Sequence, residues 1–344
     1  MTTGARCVSG KGKRSAAVRA AAILTGTVLL AGAAGCAAAS PPRATVAQVS
    51  NAGGRDAAKS TTDHAAGRTA TQAHDDAACN PTAASLRPAP GPPQVTPGSF
   101  MAKILARGYL IAGVSQSTYN FGYFNPLTGQ TEGFDIDMSH AVAQAIFGNP
   151  NKVEFRGITD AQREPDIRNS SVDIVAETMT ILCSRLKEVD FSSVYFEANT
   201  RVLVLKNSTA TGLASLGGQK VCATAGSDSA GIISSYPVTP RLVLVTAPQF
   251  TDCLVLLQQG QVAAVSTDDA ILAGLHAQDP FTKVVGPLLA PQPYGLAISQ
   301  QHPDFVRFVN AVLAQYEADG GWKASYAHWV GSPVPAPPTA QYAD

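Results

Sequence analysis

From Tyr109 onward, short apolar runs rich in β-branched residues alternate with longer amphipathic stretches. Val172, Ile174 and Val175 form one such run, which ends in a polar turn, Glu177 to Thr180, and predicts a strand that feeds a loop. Tyr109 to Val114, Arg201 to Leu205, Val221 to Ala223, Leu242 to Val245 and Val262 to Val265 read as further strands. Helical patterns lie between and around them. Ser99 is placed to cap a short helix that stops at Gly108, and Met138, Val142, Ala145 and Ile146 recur at helical spacing up to Gly148. Helices also read from Gly226 to Ser229 onward, over Thr251 to Gln259, and over Ala270 to His276. Phe305, Phe308, Val309, Val312, Leu313 and Tyr316 mark one apolar face that ends at Gly320, with Trp322, Tyr326 and Trp329 beyond it. The segment Ser115 to Phe124 reads as a loop. Strand and helix alternate in the way that builds a parallel α/β core.

Composition changes the picture mainly at the N-terminal side. A basic stretch (Arg6, Lys11, Lys13, Arg14, Arg19) precedes an apolar run from Ala20 to Ala34. That run is shorter than the ~20 residues a membrane span needs, so residues 1–35 read as a signal peptide. It ends in Ala33-Ala34-Gly35-Cys36, which looks like a lipobox with Ala33 in place of the usual Leu. Cleavage before Cys36 and lipidation of its thiol are expected, and an ordinary cleavage site beside an incidental Cys is the alternative. Residues 36–78 are small and polar and read as a disordered tether; residues 79–98 form a proline-rich extension. The 344 residues carry 25 Lys and Arg against 25 Asp and Glu, a balance that argues against a nucleic-acid partner.

Chemistry is concentrated at the polar turn. Thr178 and Thr180 offer hydroxyls beside main-chain polar groups, and Arg185 offers a planar fork that matches a carboxylate. The set suits an α-amino acid headgroup. The competing reading has the threonines capping the turn while Arg185 pairs with Glu188 on the surface. Asp135 and Asp137 look like a metal or catalytic pair, but Asp at a helix start serves the free N–H groups there, and capping is the expected role.

The stretch Asp173 to Tyr195, D-I-V-A-x-T-M-T-I-x-x-x-R-x-x-x-V-D-F-S-x-x-Y, resembles the signature of the amino-acid-binding proteins of ABC importers. The likeness runs from about Arg107 to Val330 and in detail is similar to actinobacterial glutamine/glutamate-binding lipoproteins. It implies a periplasmic-binding-protein-like type II α/β fold, with two lobes joined by a two-strand hinge. Lobe 1 would span 99–196 and 294–331 and lobe 2 would span 197–293, with crossings at Phe196 to Thr200 and Pro287 to Pro293. A proline-rich tail, 332–344, is expected to be unpacked.

By the same resemblance Thr178, Thr180 and Arg185 hold the ligand headgroup, and Asp268 receives its α-ammonium while Asp269 caps the following helix. Ser227, in the loop Gly226 to Ser229, lies where main-chain N–H groups meet the ligand carboxylate; Asp228 capping its own helix is the alternative. Ser115 stands where relatives commonly place an Asp. Tyr119 and Phe121 are candidates to stack on the ligand or to fill the core. Arg163 falls where acid-binding relatives place an Arg that meets the side-chain carboxylate, which points to glutamate or aspartate. Asp160 could pair with Arg163 and turn the preference to asparagine or glutamine.

Six cysteines are present. With Cys7 in the signal segment and Cys36 as anchor, Cys79, Cys183, Cys222 and Cys253 remain, and four allow three pairings. Cys222–Cys253 and Cys79–Cys183 are the expected pairs: the first would tie a strand to a helix within lobe 2, and the second would fasten the extension beside the ligand turn. No C-x-x-C spacing supports a metal site. No cofactor is implied. The partners implied are an amino-acid ligand, an ABC importer permease, a membrane reached through the lipid anchor, and a signalling membrane protein of the kind some relatives report to; the protein is expected to act as a monomer. Dehydratases and peptidoglycan lyases share this fold, but no His lies in the cleft motifs, and a binding protein rather than an enzyme is expected.

Overall fold

The computed structural model describes residues 79–344. The segments read as signal peptide, lipidated Cys36 and tether lie outside the described residues. After the extension come α1 (Phe100–Arg107), β1 (Leu110–Val114), three short strands β2 (Ser117–Thr118), β3 (Gly122–Asn125) and β4 (Gln130–Glu132), then α2 (Phe134–Phe147), β5 (Val153–Gly157), α3 (Arg163–Arg168), β6 (Ile174–Ala176) and β7 (Asp190–Phe191). The long β8 (Phe196–Leu205) leads to β9 (Lys220–Thr224), α4 (Asp228–Ser235), β10 (Val243–Ala247), α5 (Phe250–Gln258), β11 (Ala264–Asp268), α6 (Asp269–Gln278) and β12 (Thr282–Val285). The chain returns through β13 (Pro291–Tyr294) to β14 (Ala297–Ile298), α7 (Pro303–Ala318) and α8 (Gly321–Trp329).

Each lobe has its own sheet. In the first the order is β5-β1-β6-β14-β7, with β1 parallel to β5 and β6, and β14 antiparallel to β6 and β7. Period-two alternation along β1 sends Leu110, Ala112 and Val114 to a core shared with α2 and α7, and Ile111 to a second core with Val175 and Met179. Each such fully buried Leu or Val side chain stabilises the lobe by ~1.5–3 kcal/mol. In the second lobe the order is β10-β9-β11-β8-β12, and β9 is parallel to both β10 and β11. Cys222 on β9 is joined to Cys253 on α5, Cα to Cα 5.6 Å.

Two strands cross between the lobes. The expected crossing at Phe196 to Thr200 and the expected new strand at Arg201 to Leu205 are one strand, β8, because its two halves have different partners. Its first half pairs with β13, Phe196 opposite Tyr294, and its second half with β11 and β12. The segment read as a loop, Ser115 to Phe124, contains β2 and most of β3, which pair with β4 as a three-stranded meander.

The tail is packed, contrary to the sequence reading. The Ala343 N–H donates to Ser85 O at 2.9 Å, and Asp344 accepts from the Arg87 N–H at 2.7 Å while its other carboxylate oxygen meets Arg307 at 2.5 Å. Val334 rests on the first-lobe core. The last residue meets two guanidinium groups, Arg307 of α7 at its carboxylate and Arg87 of the extension at its main-chain oxygen, and proline content alone gave no sign of that. The extension is held too: Ser85 donates to Phe191 O, Asn310 donates to Ser85 and Leu86, and Cys79 is bonded to Cys183 with a Cα separation of 6.1 Å. Among the described residues no helix is long and apolar enough to cross a membrane.

Candidate functional site

The turn after β6 is held in an uncommon shape. Thr178 has φ of +42°, a left-handed conformation that costs a non-glycine residue free energy. Asp135 offsets that cost, since its carboxylate accepts the Thr178 N–H at 2.8 Å and the Tyr195 hydroxyl at 2.6 Å. Asp135 therefore does not cap its helix. The N-cap position is Gly133, without a side-chain cap, and Asp137 accepts instead from Ser325 and Trp329 on α8. Burial pushes the Asp135 carboxyl up to about 6, against the opposing pull of its Tyr195 and Thr178 hydrogen bonds.

Beyond Thr178 the loop lies along the returning strand. The Ile181 N–H donates to Pro293 O, and the Gly295 N–H to Met179 O. The Thr180 hydroxyl donates to Gln292 Oε1 at 2.5 Å. Gln292 in turn donates to Thr200 on β8 at 2.9 Å and to Asp228 at the start of α4 at 2.8 Å. One buried amide thus touches the turn after β6, the hinge and the second lobe. A lone Gln between two prolines was the only signal of it in the sequence, and reasoning from motifs missed it.

A narrow, nearly closed pocket of about 10 Å³ lies between the lobes, lined by Asp160, Arg163, Thr178, Thr180, Arg185 and Gln292 on one side. Ser227, Asp228, Ser229, Phe250, Thr267, Asp268 and Ile271 line the other. Arg163, Thr178, Thr180, Arg185, Ser227 and Asp268, all singled out from sequence, meet here. Tyr119 does not: it is 38% exposed and packs edge-on against Tyr123 in the meander. Phe121 is core, against Phe134, Phe196 and Tyr294. Ser115 is consumed locally, accepting from Ser117 and Thr118.

Both arginines are buried. Arg185 is ion-paired at Nε with Glu164 (2.9 Å) and donates from Nη1 to Thr180 O (2.7 Å), while Glu188 pairs with Arg168 instead. Burial, with Arg163 nearby, lowers the Arg185 guanidinium to about 10. Arg163 is no surface residue of its helix. It donates to Asp160 O and Glu177 O, each at 3.1 Å, and lies 3.3 Å from the Asp160 carboxylate. Burial alone would lower its pKa; Asp160, Glu177 and Glu164 around it hold it above the ordinary value. Behind the turn, Glu177 has a buried Oε2 without a hydrogen-bond partner among the described residues, and burial beside Asp160 pushes its carboxyl well up.

The second lobe supplies the rest. Asp268 accepts the Tyr294 hydroxyl at 2.7 Å, and burial raises its carboxyl to about 7, against the Tyr294 hydrogen bond and helped by Asp269 and Asp228. Asp269 takes the N–H groups of Ala270 and Asn199. Ser227 caps α4 by accepting the Ala230 N–H, and Asp228 is bound to Gln292 rather than to its own helix. Lobe-to-lobe contacts are direct: Ser117 donates to Gln249 at 2.8 Å, Thr224 donates to Asp160, and Gly226 O accepts from both arginines. Gly226 has φ of +85°, and a Cβ there would lie 2.7 Å from Ala161 Cα. Among the described residues no cluster of three or more His, Cys, Asp or Glu is placed to hold a metal ion.

The profile of the bacterial extracellular solute-binding proteins, family 3, matches residues 110–332. The ABC transporter glutamine-binding protein GlnH of Bacillus subtilis is 34% identical over 231 residues, 67% of this chain and 84% of the relative. The glutamate/aspartate import solute-binding protein of Escherichia coli is 26% identical over 247 residues, 69% of this chain and 82% of the relative. Among solved structures, the solute receptor for L-cysteine of Neisseria gonorrhoeae superposes with a TM-score of 0.64 at 27% identity, over 67% of this chain and 93% of that one.

Proposed function

The chain belongs to family 3 of the bacterial extracellular solute-binding proteins, and from that premise we propose that it closes its lobes over one polar amino acid, glutamate, aspartate, glutamine or asparagine, for an ABC importer. It is a binding protein and not an enzyme, as its relatives are. The observation that carries the reading is the pocket between the lobes, where a two-arginine edge faces Asp268 across a space lined by hydroxyls. Guanidinium groups match an α-carboxylate, and a buried carboxylate matches an α-ammonium. Calorimetry with the four amino acids tests it: at least one binds and is recovered unchanged. A protein that binds none, or that converts its ligand, contradicts the proposal.

Lipid anchoring through Cys36 is part of the same proposal, since the apolar run before it is too short to span a membrane. Cys36→Ala is expected to move the protein from washed membranes into the soluble fraction. A signalling membrane protein as a second partner is the corresponding proposal for sensing, supported only by the resemblance to lipoproteins that report their ligand.

A further inference from the structure

Arg163 and Arg185 each spend most of their donors within the first lobe. In Arg163, Nε serves Asp160 O, and Nη1 serves Glu177 O and the Asp160 carboxylate. In Arg185, Nε serves Glu164 and Nη1 serves Thr180 O. Each guanidinium therefore offers the cleft one end, Nη2. Those two ends do not point to separate places. Arg163 Nη2 lies 3.3 Å and Arg185 Nη2 3.0 Å from the same atom, the carbonyl oxygen of Gly226. That oxygen is one acceptor shared by two guanidinium donors, and it marks a single seat between them.

We infer that Arg163 and Arg185 together hold the ligand's α-carboxylate, and that Arg163 does not read the ligand's side chain. This deepens, and rests on, the amino-acid-binding reading of the pocket. Two charged forks on one carboxylate are compatible in geometry, because a carboxylate offers about four lone-pair sites where a main-chain carbonyl offers two. The neighbouring charges fit as well. With both arginines committed to one anion, the remaining charged side chains of the pocket are Asp160, Asp228 and Asp268, all acidic. Asp160 is itself engaged, one oxygen near Arg163 and the other accepting from Thr224. The distal end of the ligand therefore meets no cation, and its chemistry is left to the hydroxyl and apolar lining of the second lobe, Thr267, Phe250 and Ile271. When the carboxylate enters, it takes the place of Gly226 O, so the loop before α4 exchanges its contact with the arginines for one with the ligand.

The test is a set of calorimetric titrations of the full chain and of Arg163→Gln with glutamate, glutamine, glutamine α-amide and isoglutamine, the last being glutamate with its α-carboxyl amidated. Circular dichroism and thermal melts establish that the variant is folded, and Arg163→Lys, which keeps the charge and loses the fork, serves if the Gln variant is not. The expected result is that the variant narrows the preference for glutamine over its α-amide by about tenfold or more, while the ratio of glutamate to glutamine affinity stays where it is in the parent. A change in the glutamate-to-glutamine ratio with the α-amide preference intact would place Arg163 at the side chain and overturn the inference. An equal loss for every ligand, with both ratios kept, would make Arg163 a packing residue and overturn it too. If the parent protein binds none of the four, the amino-acid-binding reading itself fails; if it binds and the ratios depart from expectation, only this inference does.

Discussion

If Asp268 is the counterion of the ligand's ammonium, affinity depends on pH with a definite sign. The carboxyl is 5% exposed, held near 7 by burial and by the acidic neighbours Asp269, Asp228 and Asp160, and lowered in part by the Tyr294 hydroxyl at 2.7 Å. Only its ionised form attracts an ammonium. Each pH unit below that value then costs about tenfold, so near pH 5 binding is about a hundredfold weaker than on the plateau above pH 8, or ~2.7 kcal/mol. The ligand-free fold behaves oppositely. A carboxyl whose pKa is raised on folding favours the folded state below its unfolded pKa, and that contribution is lost as pH rises through about 7. Titrations across pH 5 to 8 in buffers of different ionisation enthalpy measure both the affinity and the proton released on binding. Melting scans should show a ligand-induced shift that grows with pH. Asp268→Asn should bind weakly and lose the slope, which separates this group from Asp135 and Glu177 behind the turn. A dissociation constant that is level from pH 5 to 8 in the parent protein would refute the assignment of the ammonium to Asp268.

Arg185→Ala leaves Glu164 without its partner and the ligand carboxylate with Arg163 alone, at a cost of ~3–5 kcal/mol, and should abolish measurable binding of every ligand in titrations; near-normal curves would reject the site. Gly226→Ala puts a Cβ 2.7 Å from Ala161 Cα at a φ of +85°, so small-angle scattering with saturating ligand should show lobes held further apart than in the parent, and an unchanged profile would contradict the close approach. Cys253→Ser opens the loop of 31 residues closed by Cys222–Cys253 and should lower stability by ~3–4 kcal/mol on the chain-entropy estimate, read by denaturant titration. Peptide mapping of the unreduced protein should recover Cys79 joined to Cys183 and Cys222 joined to Cys253; free thiols at these positions would show otherwise.

Local signals were legible where a single element decides them. Ser99 accepts the Ala102 N–H and Gly108 closes α1 in the left-handed conformation, as the sequence predicts, because both depend on neighbours within a turn. The meander was not legible, since β2 and β4 are too short for period-two alternation to show. Asp135 was read as a cap because capping is the commonest local use of an Asp at a helix start. Its partners, Thr178 and Tyr195, lie 43 and 60 residues away, beyond any local rule. The polar turn that lines the pocket between the lobes was legible from Thr178, Thr180 and Arg185 alone. The Gln292 bridge and the shared acceptor of the two arginines could not, since both exist only once the lobes meet.

The position of the Cys79–Cys183 bond bears on how the protein carries force. Cys183 lies between Thr180 and Arg185, and the extension beyond Cys79 is fixed again at Ser85 and Arg87. A pull on the chain ahead of Cys79 would therefore be delivered to the first lobe, beside the turn that lines the pocket, and would bypass β8 and β13 altogether. With the bond reduced, the same pull would fall on the hydrogen bonds of Ser85 and the arginine clasp at Asp344, and the turn beside Cys183 would lose its mooring before the hinge felt any load.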